Sequence, residues 1–549
     1  MWRRAGGDCW TMSFLKTLAE NPSIVKICHN AKFEYKVLRN HDINLVNFHD
    51  TKLAAYLLGE HSTGLKELAR QYLSVAPVTF KELPGGRDIS ELVPASVASY
   101  ACADADNTLR LWHILERRLY EEELYGVYER VELPLVPVLA DMERIGVQIS
   151  AEAGQHLRDD LIVQLDSCRQ GLSGLLGGDI NPNSHEQLGQ RLKDLGAPIR
   201  RLTPSKGLPG TDADKDLLPI RDWNPTLIDA ILEYKHYQKL MGYVNNLLEL
   251  RDAHDVIHTS YNQAGTWEES GGVTRSAPAT GRISSSQPGL QHIPHPDTEF
   301  GRRLRNVFVA RPGRVLLAAD VEQEEPRIIA ETAHDDVLMR AFAEGQDIYR
   351  PATVALYPHT GGSLSDNAWK ATHNHERFNG KTFFLAWYYG AGADTLRRID
   401  RSIDPRRCQN ALRALAATHP SRDVYLAHTR EIAYRDGAVV TLFGRKRWVP
   451  KVYAASRFQR EEGYREAANH RIQGTAADIL KMAMRRIWDG LRGMETKLLL
   501  TIHDEVVLET IPEEVDRVKE LVVKSFRGFL KTVDLPVSFK VGTQWGEMQ

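Results

Sequence analysis

Short apolar runs alternate with helix-period patterns along most of the chain, and this alternation predicts a mixed α/β protein. Runs rich in branched residues predict strands, at 24–27, 315–320, 438–442, 447–452, 498–502 and 506–508. Apolar residues spaced three to four positions apart predict mostly helical structure, at 53–58, 100–119, 131–145, 151–250, 324–435 and 459–491. Gly146 follows one of these patterns and is expected to end that helix. The segment 262–296, rich in Gly, Ser, Thr and Pro, is expected to be loop or irregular strand.

Two of the predicted strands carry acids at one end. The last apolar run contains His503, Asp504 and Glu505 at its centre, and the run at 315–320 ends with Asp320. A buried carboxylate is unfavourable unless a cation or hydrogen bonds meet it, and a divalent metal is the simplest partner. Two such acids on adjacent strands can hold two ions about 4 Å apart, an arrangement suited to in-line phosphoryl transfer. The alternatives are a solvated hairpin tip and two unrelated acids.

A helix-period set of side chains forms a second candidate site. Arg377, Lys381, Leu385 and Tyr389 recur every fourth residue, so they share one face of a helix. Two cations one turn apart can bind a polyphosphate, and the aromatic ring can stack on a base. An amphipathic helix with a basic edge has the same pattern.

Two further segments carry groups suited to nucleic acid. Arg465, Asn469 and Gln473 repeat the four-residue spacing, and all three can reach acceptors in a minor groove. The segment 280–286 supplies small residues, hydroxyls and one arginine, which suit a nucleic-acid backbone. A polar helix face or a solvated loop explains either segment taken by itself.

Composition narrows the class of protein only slightly. At 549 residues the chain should hold several domains, and its net charge of −2 gives no global nucleic-acid signature. The five cysteines are scattered without metal-ligand spacing, so free thiols in a reducing compartment are expected. The chain contains no long apolar run and no signal peptide, so a cytoplasmic protein without a membrane span is expected.

From about residue 125 to the end, these segments together resemble the family A DNA polymerases of the bacterial polymerase I and phage replicative type. Residues 319–327 resemble motif A, 377–390 motif B and 502–505 motif C; further matches lie at 132–135, 280–286, 290–294 and 473–478. The resemblance implies a right-hand fold of palm, fingers and thumb. The implied boundaries are 121–275 for the thumb and connecting helices, 276–335 and 461–549 for the palm, and 336–460 for the fingers.

The resemblance implies template-directed addition of deoxynucleotides to a primer 3′ end, by two-metal phosphoryl transfer with pyrophosphate release. Two Mg²⁺ ions, with Mn²⁺ as a substitute, would be bound by Asp320, Asp504 and the Val321 carbonyl. Lys381 would be catalytic as a proton donor, and Glu325 would crowd a ribose 2′-hydroxyl. The implied nucleotide-binding residues are Gln323, Glu325, Tyr349, Arg377, Lys381, Leu385 and Tyr389. The implied DNA-binding residues are Thr280, Arg282, Gln291, Arg465, Asn469, Gln473 and His503.

Three positions depart from the family pattern. Leu385 stands where most relatives have Phe or Tyr, as in some phage-like members, and poor uptake of dideoxynucleotides is therefore expected. Glu322 and Glu324 stand where relatives have Ser and an apolar residue, and the sequence offers no reason for them. Glu505 is expected to be a secondary metal or water contact.

Residues 1–120 resemble a truncated RNase H-like 3′–5′ exonuclease domain of the same family. The segment 29–34 is similar to its second motif, with Glu34 in place of Asp, and Tyr100 and Asp104 are similar to its third. The first motif, Asp-x-Glu, should precede residue 20, and nothing there matches. Because that pair normally supplies metal ligands, proofreading is expected to be absent or impaired, with the domain kept as scaffold or the gene incomplete.

Two other functions fit parts of the pattern. A single-subunit RNA polymerase would share the two acids and the Lys381 helix face, but Glu325 and the segment 473–475 favour DNA synthesis. A non-catalytic DNA-binding or processivity protein would not need the intact polar set. The expected partners are primer–template DNA, dNTPs and replication accessory proteins, and the chain is expected to be a monomer without membrane contact.

Overall fold

The computed structural model describes residues 9–76, 92–203, 207–265, 280–294, 298–396, 400, 402–502 and 504–548. The N-terminal part is helical with one small parallel sheet, formed by α1 (Cys9–Glu20), β1 (Lys26–Cys28), α2 (Ala31–Arg39), β2 (Phe48–Asp50), α3 (Thr51–Leu57), α4 (Leu65–Leu73) and α5 (Pro94–Glu121). The strand predicted at 24–27 is therefore shifted. Pairing with β2 begins only at Lys26, and Ile24 and Val25 are exposed.

Long helices follow the N-terminal part. The elements are α6 (Tyr125–Val127), α7 (Leu135–Ile145), β3 (Val147–Gln148), α8 (Ala151–Leu176), α9 (His185–Asp194), α10 (Pro225–Leu250), β4 (Val256–Ile257) and β5 (Ser260–Asn262). The single helix predicted at 131–145 is wrong in its first turn. A π-helical turn at Tyr128–Glu132 precedes α7, and Pro134 between them has no N–H for a continuous helix. Gly146 ends α7 at φ +64°, as predicted.

Helices also dominate the next region, as the sequence pattern predicted. The elements are β6 (Ser284–Ser286), α11 (Glu299–Asn306), β7 (Val315–Val321), α12 (Glu324–Ala333), α13 (Asp336–Ala343), α14 (Arg350–Leu356), α15 (Asp366–Thr372), α16 (Asn374–Tyr388), α17 (Ala393–Leu396), α18 (Pro405–Thr418) and α19 (Ser421–Asp436). The short strand β6 pairs with β5, so the segment expected to be loop or irregular strand joins a two-stranded ribbon.

The C-terminal region completes the central sheet. Its elements are β8 (Ala438–Val440), β9 (Lys446–Trp448), α20 (Arg457–Gly490), β10 (Lys497–Ile502), β11 (Glu505–Thr510), α21 (Val515–Phe526) and β12 (Val537–Gly542). The hairpin β8–β9 is shorter than predicted. Pro450 begins a 3₁₀ turn that ends the second strand early.

The central sheet is antiparallel, with strand order β10-β11-β7-β12. Its two faces are both buried. Leu317 and Ala319 of β7 lie in one hydrophobic cluster, whereas Leu316 and Ala318 lie in another. Burial on both faces explains why these strands are continuously apolar in sequence, and it leaves polar residues to the strand ends.

Two bulk expectations can be compared with the described residues. Cys28, Cys102, Cys168 and Cys408 form no disulfide among the described residues, as predicted. Within the described ranges, no helix combines the length and apolar character needed to cross a bilayer.

Candidate active site

Two acids meet at one end of the central sheet. The register of β7 and β11 places Asp320 opposite Glu505, and Asp504 immediately precedes Glu505 in the turn from β10. The prediction that Asp320 and Asp504 belong to adjacent strands is therefore confirmed. The Asp320 side chain is exposed to solvent on one side and surrounded by protein atoms on the others. This partial burial, together with the charges of Glu505 and Asp504, raises its pKa to about 6, despite the opposing charge of Lys381.

The donor set around Asp320 and Asp504 is compatible with magnesium. Among the residues that the structure describes, no three His, Cys, Asp or Glu side chains converge to hold a metal by themselves. Magnesium commonly takes one or two carboxylates and completes its shell with water and substrate phosphates, so two acids and the Val321 carbonyl suit it. The Glu505 carboxylate accepts a hydrogen bond from Trp545 Nε1 at 3.0 Å, which fixes its orientation. His503 lies outside the described residues.

Glu325 joins three separate segments of the chain. Its carboxylate accepts hydrogen bonds from Arg282 at 3.2 Å, from Gln473 at 3.3 Å and from the Tyr389 hydroxyl. Arg282 also lies 3.6 Å from Asp504. One connected group therefore contains five residues from sequence motifs far apart in the chain, and it includes Asp504 of the acidic pair. The five are Arg282, Glu325, Tyr389, Gln473 and Asp504.

The helix α16 presents its cations toward the same cleft. Phe383, Phe384 and Trp387 are buried on one side of α16, whereas Arg377 is half-buried and Lys381 is exposed. The predicted shared face is consistent with this burial pattern. The charge of Lys381 partly offsets the rise in the pKa of Asp320. The Lys381 ammonium group therefore lies within electrostatic reach of the acidic pair.

Asp347 positions Arg377 and was not identified from the sequence. Its side chain is fully buried and accepts a 2.7 Å hydrogen bond from Arg377 Nε, with Lys370 Nζ 3.4 Å away. The Arg377 guanidinium lies 5.3 Å from the centroid of the Tyr349 ring. Tyr349 is 1% exposed, so it lies behind Arg377 and not on the open cleft, and its hydroxyl has no hydrogen-bond partner in the described part of the chain.

Two of the residues expected to contact DNA, Arg282 and Gln291, line a cavity of about 180 Å³. Its lining includes Arg282, Gln291, Thr501 and Asp504. The Gln291 Oε1 and Asn469 Oδ1 atoms are buried, and neither has a hydrogen-bond partner among the described residues. Thr280 lies two residues before Arg282, at the start of a described segment.

Arg465, Asn469 and Gln473 are half-buried positions on α20. The side chain of Arg465 lies beside Gly390, where a Cβ would be 3.8 Å from its Cγ. This contact brings the C-terminal end of α16 next to the middle of the α20 face.

A buried ionic network supports the loop that carries Arg282. Arg445 lies between Glu132 and Asp478, and Lys481 donates to Glu132 at 2.6 Å. All four side chains are at most 3% exposed. The backbone at Gly281, at φ +84°, passes so close to Arg445 that a Cβ there would lie 2.7 Å from its Nε.

The exonuclease-like residues form a different arrangement. Asp104 makes an ion pair with Lys66, whose ammonium also lies 4.2 Å from the centroid of the Tyr100 ring. Burial, followed by the charge of Asp50, raises the pKa of Glu34 to about 7. A cation from the protein itself thus already neutralises Asp104.

Comparisons with known proteins agree with this geometry. The sequence profile for DNA polymerase family A matches residues 151–547, and the profile for 3′–5′ exonuclease matches residues 4–120. DNA polymerase I of Chloroflexus aurantiacus is 36% identical over 548 residues, covering 96% of this chain and 55% of that protein. DNA polymerase I of Pseudomonas aeruginosa is 33% identical over 551 residues, covering 97% and 58%. The chain spans about half the length of these curated relatives.

A solved structure agrees with the same fold. The POL domain of Pol1 from M. smegmatis, in complex with DNA primer-template and dNTP, matches with a TM-score of 0.85 at 26% identity. The match covers 99% of this chain and 90% of that one. The expected mixed α/β right-hand fold with an exonuclease-like N-terminal part is confirmed, whereas the boundaries assigned to thumb, palm and fingers stay predictions.

Proposed function

Because the chain belongs to the family A DNA polymerases, we propose that it extends a primer 3′ end along a DNA template, adding deoxynucleotides and releasing pyrophosphate. The observation that carries this proposal is the register of β7 and β11, which brings Asp320 beside Asp504 within reach of the Lys381 charge. Phosphoryl transfer to a primer hydroxyl requires acids that bind metal ions and a cation that stabilises charge on the phosphates. Both kinds of group face one cleft here.

Two divalent cations, Mg²⁺ or Mn²⁺, would be held by Asp320, Asp504 and the Val321 carbonyl. When bound, they would lower the pKa of the attacking hydroxyl and neutralise charge on the leaving phosphate. Arg377 is held through its Nε by Asp347, and its Nη groups would donate to phosphate oxygens. Lys381, one turn farther along α16, would bind the same triphosphate and donate a proton to the departing pyrophosphate.

Substrate selection would depend on the group around Glu325. Its carboxylate is fixed by Arg282, Gln473 and Tyr389, so it cannot swing aside easily for a ribose 2′-hydroxyl. The Oε1 of Gln291 and the Oδ1 of Asn469 would accept a hydrogen bond from the guanine amino group, which is the donor that base edges offer in the minor groove. Glu325 therefore favours deoxynucleotides, and this distinguishes DNA synthesis from the RNA polymerase alternative.

Primer extension with Mg²⁺ tests the proposal. The wild-type chain should extend a DNA primer with dNTPs and much less with rNTPs, and Asp504→Asn should lower the rate by at least about 10³-fold because a metal ligand is lost. Asp516→Asn, at a side chain 97% exposed on α21, is the matched control and should extend normally. Equal rates for Asp504→Asn and the wild type, or a preference for rNTPs, would contradict the proposal.

We further propose that the exonuclease-like domain does not proofread. The support is the Lys66–Asp104 ion pair, in which an ammonium neutralises the acid of the segment that resembles the third exonuclease motif. A primer with a mismatched 3′ end should therefore survive incubation with Mg²⁺ in the absence of dNTPs. Measurable degradation that Asp104→Ala abolishes would show the opposite.

A further inference from the structure

Three exposed aromatic rings lie where α19 ends and α20 begins. Phe458, the second residue of α20, is 73% exposed, the largest fraction of any large hydrophobic side chain in the described part of the chain. Tyr434 near the end of α19 is 60% exposed, and Tyr453 in the turn before α20 is 54% exposed. Tyr434 and Tyr453 contact each other, and Phe458 follows Tyr453 by five residues. Exposed apolar groups that share one part of a surface indicate a binding partner more often than isolated ones do.

The two tyrosines are fixed in place. Their ring centroids lie 5.6 Å apart, and the Tyr453 hydroxyl donates to the Tyr434 carbonyl at 2.7 Å. A ring held in this way loses little conformational freedom when a ligand stacks on it.

Phe458 lies on the face of α20 assigned to DNA. At ~100° per residue, the positions of Phe458, Arg465, Asn469 and Gln473 fall within an arc of about 80°. At ~1.5 Å per residue, Phe458 lies about 10 Å beyond Arg465, on the side away from Gln473 and the acidic pair. A strand that follows this face past Arg465 therefore reaches Phe458 next.

We propose that Phe458, with Tyr434 and Tyr453, forms a stacking platform for the single-stranded template that has not yet entered the active site. The proposal rests on the proposed DNA synthesis. Aromatic rings bind unpaired bases of any sequence, because every base offers a flat face, and this suits a template that must pass through.

The charges along this face favour stacking over phosphate binding. Glu461 and Glu462 lie between Phe458 and Arg465, and each is paired, with Arg430 at 2.6 Å and with Lys451 at 3.1 Å. Because both acids are neutralised by partners, this stretch neither repels a phosphate backbone nor attracts it strongly. The contribution of the platform to binding should therefore depend little on salt, unlike contacts made by free lysines and arginines.

Binding to two primer–templates tests the platform. One duplex carries a single unpaired template nucleotide and the other carries six, with 2-aminopurine at the third. Phe458→Ala should weaken binding of the six-nucleotide overhang between about fivefold and a hundredfold, the range for one lost base stack. Phe458→Trp should restore binding and the quenching of 2-aminopurine, whereas Phe458→Leu, apolar without a π face, should not.

The one-nucleotide overhang separates the platform from the activity. Its binding and extension should be the same in wild type and Phe458→Ala, as should both duplexes with the control Phe14→Ala, at a ring 65% exposed on α1. If the wild type extends both duplexes and Phe458→Ala binds the long overhang equally well, the platform is refuted and polymerisation stands. If Phe458→Leu binds like the wild type, the contact with the overhang needs no aromatic face and the stacking platform is refuted. If the wild type extends neither duplex, the proposed function fails.

Discussion

Replacing Glu132 with Gln should destabilise the chain more than any exposed charge substitution. The Glu132 carboxylate is fully buried and accepts hydrogen bonds from Lys481 and Gln263, each at 2.6 Å, and from Arg445. Asp478 is the second acid of the network and accepts from Arg445 Nε at 2.7 Å. The wild-type network contains two anions and two cations, whereas Glu132→Gln leaves two buried cations with one anion.

The pKa of Glu132 gives the magnitude. Burial alone would raise this pKa, but Lys481 and Arg445 outweigh it and lower the value from 4.5 to about 2. At ~1.4 kcal/mol per pKa unit, the ionised form is stabilised by about 3 kcal/mol, in the range for breaking a buried ion pair. Because the folded pKa lies below the unfolded one, this contribution is complete above pH ~4.5 and is lost as the pH falls toward 2.

Urea denaturation at pH 7 and at pH 3 measures the loss. Glu132→Gln should lower the free energy of unfolding by about 3 kcal/mol at pH 7 and by less at pH 3. Lys481→Met removes the surplus cation, so the double variant Glu132→Gln/Lys481→Met should be more stable than Glu132→Gln alone. A loss below about 1 kcal/mol at pH 7, or two strictly additive effects, would refute this account of the network.

Three predictions concern the active site. Asp347→Asn removes the anion that anchors Arg377, so the KM for dNTP should rise about tenfold. The Kd for primer–template, measured by anisotropy, should stay unchanged. A changed Kd with an unchanged KM would contradict this role of Asp347. Because the pKa of Asp320 is raised to about 6, its carboxylate is half ionised at pH 6 and mostly protonated at pH 5. Mn²⁺ affinity measured by electron paramagnetic resonance should therefore fall about fivefold from pH 6 to pH 5, and a flat profile would be inconsistent with this. Leu385→Tyr should raise incorporation of dideoxynucleotides in gel-based termination assays, and equal incorporation by the wild type would disprove the role of Leu385.

Local patterns in the sequence were sufficient to predict the acidic pair and the cationic helix. Asp320 and Asp504 end continuous apolar runs, and such runs indicate strands buried on both faces. The four-residue spacing on α16 likewise depends only on helix geometry. The site residues at strand ends and on helix faces can therefore be predicted from the sequence alone.

Contacts between distant segments were not predictable in the same way. Asp347 holds Arg377 from 30 residues away, across two intervening helices, and no spacing rule connects the two positions. Arg445 and Glu132 are 313 residues apart, and each looks like an ordinary surface charge in the sequence. The shifted strand at Lys26 has the same cause, since its start is set by the partner strand and not by its own residues.

The two unusual acids of the 319–327 segment have different physical explanations. Glu322 is exposed, so its charge is solvated. Glu324, in the first turn of α12, is 3% exposed and its Oε1 has no hydrogen-bond partner. Burial, followed by the charge of Asp504, raises the pKa of Glu324 well above its ordinary value. A neutral carboxylic acid costs less free energy to bury than a carboxylate does. Burial at this position, where relatives have an apolar residue, therefore favours the neutral form. The sequence shows an additional acid beside Asp320, but burial of Glu324 in the folded chain disfavours its charged form.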